Sequence, residues 1–116
     1  MVYIGLNTRE VTAFEFIPEL EKTQPKEIKP EEVVELLSSY YHSCFRNEHK
    51  PVLDIVKRRF NINIGIPEEP ILYPLRKGDK VIIVVVANTR RLGYEEKYTL
   101  EELRKARIFF RQYIVR

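Results

Sequence analysis

The feature that most constrains the fold is an unbroken run of β-forming residues at positions 81–87, Val-Ile-Ile-Val-Val-Val-Ala. A strand that is apolar on both sides is typical of a central strand that is buried on both faces of its sheet. Helices are then expected to cover both sides. The run therefore predicts an α/β protein with a mixed central sheet of about five strands and helices on both faces.

Local patterns predict the other elements. Short stretches of β-forming or alternating residues predict strands at 2–6, 41–46, 61–66, 71–73 and 108–115. Apolar spacing predicts helices at 30–40 and 51–60, and the capping-box pattern at 99–102 predicts a short third helix. The proline-rich stretch 17–30 is predicted to be an extended surface connection. A chain of 116 residues fits a single domain over residues 1–116.

Composition narrows the class of protein. No apolar run approaches the length of a membrane span and the start lacks a signal-peptide pattern, so a cytosolic protein without a membrane partner is expected. Cys44 is the only cysteine, and the spacing of His42 and His49 matches no zinc or magnesium site, so no metal or other cofactor is expected. A net charge of +3 is too small to predict duplex-DNA binding. Abundant Glu, Lys and Arg favour a thermophilic source.

Polar residues that could hold an anion stand at the ends of predicted elements. His49 lies at the start of the 51–60 helix, where free backbone N–H groups favour anions. Ligands of α/β sheets commonly bind beside strand ends, and arginine forks suit phosphate. The predicted binding residues that follow strands are Asn7, Asn88, Arg90, Arg91, Tyr94 and Glu95.

Histidine, arginine and glutamate without a metal would serve RNA cleavage by its own 2′-hydroxyl. Histidine would protonate the leaving 5′-oxygen, arginine would stabilise the phosphorane, and glutamate would orient the attacking hydroxyl or the imidazole. Structural interpretations stand beside this one. His49 could be an exposed or capping residue, and Arg90 and Arg91 a solvated loop. The basic residues 57–59 could form a solvent-exposed helix face or contact phosphates. Cys44 could be a small buried residue.

Features spread over most of the chain resemble one known family. They are the opening strand 2–4, His49 followed by the helix-then-strand layout of 51–64, the turn 78–80, Arg91-Leu92, the stretch 99–102, and the aromatic final strand with Phe109 and Phe110. Together they resemble a divergent member of the crenarchaeal viral ring nucleases, which are anti-CRISPR enzymes. These degrade cyclic tetra-adenylate, the second messenger of type III CRISPR immunity.

The resemblance implies a metal-independent ring nuclease whose linear products end in 2′,3′-cyclic phosphate, acting in the host cytosol. It implies a homodimer whose interface holds the cyclic ligand. By position, His49 would be the general acid and Arg91 the family's arginine. Tyr94 stands where the family has its glutamate, so Glu95, or Glu96 beside it, would take that role.

Two other classes of function remain open. The protein could bind a cyclic oligonucleotide or single-stranded RNA without cutting it. It could instead be a viral structural or regulatory protein that interacts through an exposed strand edge. Cleavage of the cyclic ligand would indicate the nuclease, and binding without cleavage would indicate the binding protein. Absence of any nucleotide binding would favour the structural or regulatory protein.

Overall fold

The computed structural model describes residues 1–6, 25–68, 76–89 and 98–115, and within them five strands form one mixed sheet. The strands are β1 (Val2–Leu6), β2 (Lys26–Ile28), β3 (Tyr41–Ser43), β4 (Lys80–Ala87) and β5 (Arg107–Ile114). Their order across the sheet is β2, β5, β4, β1, β3. β1 runs parallel to β3 and β4, whereas β5 runs antiparallel to β4 and β2. The predicted α/β fold with a mixed sheet is therefore confirmed.

The helices are α1 (Pro30–Leu36), α2 (Lys50–Phe60) and α3 (Leu100–Lys105). Each begins or ends at a residue that satisfies free backbone groups. In α2, Asn61 ends the helix in the left-handed conformation, with φ of 57°. In α3, Thr99 Oγ1 accepts from the Glu102 N–H at 3.1 Å, and Glu102 Oε1 accepts from the Thr99 N–H at 3.0 Å. The predicted helices are confirmed, although α1 ends at Leu36 rather than at residue 40.

The central-strand prediction is also confirmed. All residues of β4 from 81 to 86 are at most 8% exposed, because β1 and β5 flank the strand and apolar side chains cover both of its faces. Ile82 and Val84 lie in a cluster with Phe110 of β5, and they define the first face of the sheet. Val81 and Ile83 lie in a separate cluster on the second face.

The described helices pack on the first face. Val33 of α1, Val52 and Val56 of α2 and Leu103 of α3 are fully or almost fully buried in the first cluster. Burial of such side chains stabilises the fold by about 1.5–3 kcal/mol each. No residue of the described helices belongs to the second cluster. Coverage of the second face by helices therefore stays a prediction.

The predicted strand at 61–66 is wrong. Ile62 is buried and Ile64 and Ile66 pack against the first cluster, which explains the alternating pattern. The backbone of this segment joins no ladder of the sheet, and Tyr41 Oη instead accepts a hydrogen bond from the Gly65 N–H at 3.2 Å. An alternating pattern of apolar residues indicates that every second side chain is buried. A strand also needs a partner strand beside it.

Two further boundaries differ from the predictions. The segment 26–28 was expected within a surface connection, but it forms β2 because β5 offers it an open edge, with Ile28 opposite Phe110. The strand expected at 41–46 is shorter and ends at Ser43. The strand predicted at 71–73 lies outside the described residues.

Candidate functional site

The parallel strands β4, β1 and β3 are neighbours, so their carboxyl ends meet at one edge of the sheet, here called the carboxyl edge. Leu6, Ser43 and Ala87 are the last residues of these strands. β5 is antiparallel and begins at the same edge, where Arg107 lies opposite Ala87. In open α/β sheets, this edge is where ligands bind.

Asn88 is the predicted binding residue that the structure describes at the carboxyl edge. It directly follows β4, is exposed, and adopts a left-handed backbone with φ of 60°. Asparagine tolerates this conformation better than most residues. The chain therefore turns sharply out of the sheet at Asn88.

The other residues of the predicted loop site are not among those that the structure describes. Asn7, Arg90, Arg91, Tyr94 and Glu95, together with Glu96, lie outside the described residues. Their assignment to ligand binding and catalysis stays a prediction. The segments that carry them continue in sequence from the strand ends Leu6 and Ala87, with Asn88 and Thr89 between β4 and the second segment.

His49 lies at the junction between a 3-10 turn (Asn47–His49) and α2, as the sequence indicated, but it is not exposed. Its side chain is only 3% exposed and packs edge-to-face on Phe45, with ring centroids 5.9 Å apart. Nδ1 accepts a hydrogen bond from the Arg46 N–H at 3.1 Å, and the His49 N–H donates to the Arg46 carbonyl at 3.0 Å. The imidazole thus closes the turn that leads into α2.

This hydrogen bond restricts the chemistry of His49. A ring nitrogen that accepts from an N–H carries no proton, so the neutral ring holds its proton on Nε2. An imidazolium would place an Nδ1–H against the Arg46 N–H. A general-acid role for His49 therefore requires the ring and the Arg46 N–H to separate.

Arg59 lies on the exposed face of α2, as the sequence interpretation allows, but its guanidinium also makes specific contacts. Its guanidinium donates to the carbonyls of Ala106 and Leu103, each at 2.8 Å, and to that of Arg104 at 3.1 Å. These carbonyls lie at the carboxyl end of α3, where helix carbonyls lack the usual partners, and that of Leu103 also accepts from the Ala106 N–H at 3.3 Å. Arg59 therefore joins α2 to the carboxyl end of α3, a role that the sequence interpretation missed.

Glu102 holds together the two ends of the segment that contains Arg90 and Arg91. The Thr89 hydroxyl donates to Glu102 Oε2 at 3.4 Å, and the Thr99 N–H donates to Oε1 at 3.0 Å. One carboxylate thus contacts residues on both sides of segment 90–97. The capping-box pattern identified the Thr99 contact, but no local spacing signals the contact with Thr89.

Cys44 is unsuited to nucleophilic chemistry at neutral pH. Burial raises the pKa of its thiol to about 12, so the thiolate is scarce. Its side chain packs against the second cluster, and its N–H donates to the Ile4 carbonyl at 2.8 Å. Cys44 is therefore a small residue that packs against the core, but it is half-buried rather than fully buried as the sequence interpretation has it.

Comparison with known proteins adds no family to this description, because neither a family model nor a curated protein matches the chain. Within residues 1–6, 25–68, 76–89 and 98–115, no helix is long and apolar enough to span a bilayer. In the same ranges, no three His, Cys, Asp or Glu side chains group in a way that could hold a metal ion. The resemblance to ring nucleases stays a prediction from the sequence.

Proposed function

We propose that the protein is a metal-independent ring nuclease that binds cyclic tetra-adenylate at the carboxyl edge of its sheet. One observation carries the proposal: β1, β3 and β4 are parallel neighbours, so the strand ends that precede Asn7, His49 and Asn88 in the chain share one edge. Polar residues that follow such strand ends are suited to ligand binding. In this proposal the protein is a homodimer of viral origin that counters type III CRISPR signalling in the host cytosol.

The cleavage step needs an acid, a cation and an orienting base. His49 would protonate the leaving 5′-oxygen and Arg91 would stabilise the charged phosphorane. Glu95, or Glu96, would orient the attacking 2′-hydroxyl and accept its proton, so that the 2′-oxygen bonds to phosphorus as the P–O5′ bond breaks and a 2′,3′-cyclic phosphate is left. Asn7, Asn88, Arg90 and Tyr94 would bind the ligand. The His49 ring and the Arg46 N–H must separate for this step, because Nδ1 accepts from that N–H.

The proposal is tested by incubating the protein with cyclic oligoadenylates of different ring sizes, with and without EDTA. We expect cyclic tetra-adenylate to be cleaved equally well in both conditions. Intact ligand after prolonged incubation would contradict the proposal. Products are followed by chromatography so that the 2′,3′-cyclic phosphate terminus is identified.

The matched variant for His49 is His49→Asn. The amide oxygen of asparagine can accept from the Arg46 N–H as Nδ1 does, but the amide cannot protonate a leaving group. We expect His49→Asn to keep the fold and to cleave on the order of a hundredfold more slowly or worse. Cleavage at the wild-type rate would assign His49 a purely structural role.

A second candidate function is favoured by the same histidine. Because its ring is 3% exposed and its Nδ1 is engaged, the described conformation fits a protein that binds the cyclic ligand without cutting it. Calorimetry would then give tight binding of cyclic tetra-adenylate with no products. His49→Asn would bind as well as the wild type in that case.

A further inference from the structure

The second face of the sheet carries a basic and aromatic strip on β5. Arg107, Phe109 and Arg111 occupy alternate positions of one strand, so their side chains share a face. Phe109 packs against the second cluster, which places this face opposite the described helices. We refer to these three residues as the β5 strip.

Both arginines of the β5 strip stack on the same ring. The guanidinium carbon of Arg107 lies 4.5 Å from the Phe109 ring centroid, and that of Arg111 lies 5.2 Å from it. Such cation–π contacts hold a guanidinium in place while its N–H groups still reach water. Both arginine residues are exposed.

The positive charge of the β5 strip is only partly neutralised by acidic side chains. Arg107 forms an ion pair with Glu27 of β2 at 3.3 Å, and the two side chains are 60% and 58% exposed. Glu27 lies opposite Arg111 in the strand register, yet its carboxylate contacts Arg107. Among the described residues, no acceptor binds the Arg111 guanidinium. The strip therefore presents one oriented guanidinium with open donors beside a weakly paired one.

The position of the strip links it to the carboxyl edge. Arg107 lies opposite Ala87, the last residue of β4, and the strip runs from there along β5. Four residues of strand place Arg107 and Arg111 about 13 Å apart along the backbone. The two guanidiniums lie closer together than this, at most about 10 Å apart, because both contact the Phe109 ring, so a short stretch of extended polymer along β5 contacts both.

We infer that the β5 strip is a binding surface for the backbone of single-stranded RNA. Charge complementarity favours a polyanion, since two guanidiniums face one carboxylate and guanidinium forks bind phosphate in two-point contacts. Planar guanidinium groups also offer stacking platforms to unpaired bases, which a duplex keeps inside its helix. This surface goes beyond the proposed function, which concerns a cyclic ligand at the carboxyl edge and does not require the strip.

Two substitutions with opposite expected effects on RNA binding test the inference. Binding of a short fluorescein-labelled oligoadenylate is measured by anisotropy over a range of salt concentrations. We expect Arg111→Gln to weaken binding on the order of fivefold at low salt and to lower the salt slope by about 0.7, which corresponds to one lost phosphate contact. We expect Glu27→Gln to strengthen binding, because it removes the repelling carboxylate.

Matched controls separate the strip from general charge effects. Arg104→Gln removes an exposed arginine from α3, and Glu101→Gln removes the acid of an exposed ion pair with Lys105 at 3.1 Å on the same helix. This helix packs on the first face. We expect both controls to bind the oligoadenylate almost as the wild type does.

Equal effects of Arg111→Gln and Arg104→Gln would overturn the inference, as would a Glu27→Gln variant that binds no better than Glu101→Gln. Failure of the wild type to bind the linear RNA would also overturn it. Cleavage of cyclic tetra-adenylate is assayed on the same preparations. Cleavage without linear RNA binding would contradict the strip alone, whereas the reverse result would contradict the proposed function alone.

Discussion

The amino edge of the sheet, where β1 and β4 begin, differs from the carboxyl edge in the use of its polar groups. At the amino edge, Asp79 is 7% exposed, its Oδ1 lies 3.2 Å from the Met1 ammonium, and its Oδ2 accepts from the Arg76 N–H at 2.7 Å. The Asp79 carbonyl accepts from the Val115 N–H at 2.8 Å. These contacts join three parts of the chain to one another.

The carboxyl edge keeps polar groups at the surface instead. Asn88 is exposed there, and the Thr89 hydroxyl has a long contact of 3.4 Å with Glu102. Buried and satisfied polar groups stabilise a fold, whereas exposed polar groups at strand ends are available to a ligand. The amino edge thus uses its polar groups for contacts within the chain, whereas the proposed ligand site lies at the carboxyl edge, where polar groups stay exposed.

The largest expected effect is at the amino edge. Asp79→Ala leaves the Arg76 N–H without its acceptor and the Met1 ammonium without its partner, so we expect the free energy of unfolding to fall by about 3 kcal/mol. Asp79→Asn keeps an acceptor oxygen and should lose less. Urea unfolding measures both variants. A change for Asp79→Ala of less than about 0.5 kcal/mol would contradict a stabilising role of this edge.

The next effect concerns His49, the buried residue that follows a strand of the carboxyl edge. His49→Ala opens a cavity and leaves the Arg46 N–H unpaired, so we expect a loss of about 2 kcal/mol in the free energy of unfolding. His49→Asn restores an acceptor and should recover part of this loss. Identical thermal unfolding of the two variants would show that the bond to Arg46 contributes nothing.

A smaller effect is expected where α3 meets the end of β4. Thr99→Ala removes the helix cap and should lower the free energy of unfolding by about 1 kcal/mol. Thr89→Val removes only the long contact with Glu102 and should cost about 0.5 kcal/mol. Chemical denaturation of the two variants shows which substitution lowers the free energy of unfolding more. If Thr89→Val were the more damaging change, the carboxyl edge would depend on that contact for stability.

The smallest effect near neutral pH belongs to Cys44. Burial raises the pKa of its thiol from 9.0 to about 12, so the folded state favours the neutral thiol more strongly than the unfolded state does. This contribution to stability is complete below pH 9 and is lost as the pH rises towards about 12. The difference in unfolding free energy between wild type and Cys44→Ala isolates it, since other groups titrate in both proteins. A difference that stays constant over this range would contradict the burial of the thiol.

The elements that the sequence predicted well are those specified by nearby residues. β4 follows from its own composition, α2 from its apolar stripe, and α3 from the capping box at Thr99. Such signals act within a few positions of the chain. They required no knowledge of which segments meet in space.

The features that the sequence did not predict correctly depend on residues that are distant in the chain. β2 has little strand preference of its own and forms because β5 lies beside it. The segment 61–66 has the pattern of a strand but lacks a partner in the sheet. At the site, the sequence located His49 at a helix start, but it did not predict that the ring would be buried and bonded to Arg46. The contacts of Arg59 with α3 cross more than forty positions, which no local pattern reports.

The burial of residues 81–86 of β4 between β1 and β5 has a consequence for synthesis of the chain. A ribosome makes β1 before β4 and β5 after it, so the nascent β4 has one neighbouring strand available and one edge open. Its six consecutive Val and Ile residues, at 81–86, have the composition of segments that stack into intermolecular β-structure. The chain is therefore most prone to aggregate in the interval before β5 pairs with β4, and slow elongation through residues 88–114 would lengthen that interval.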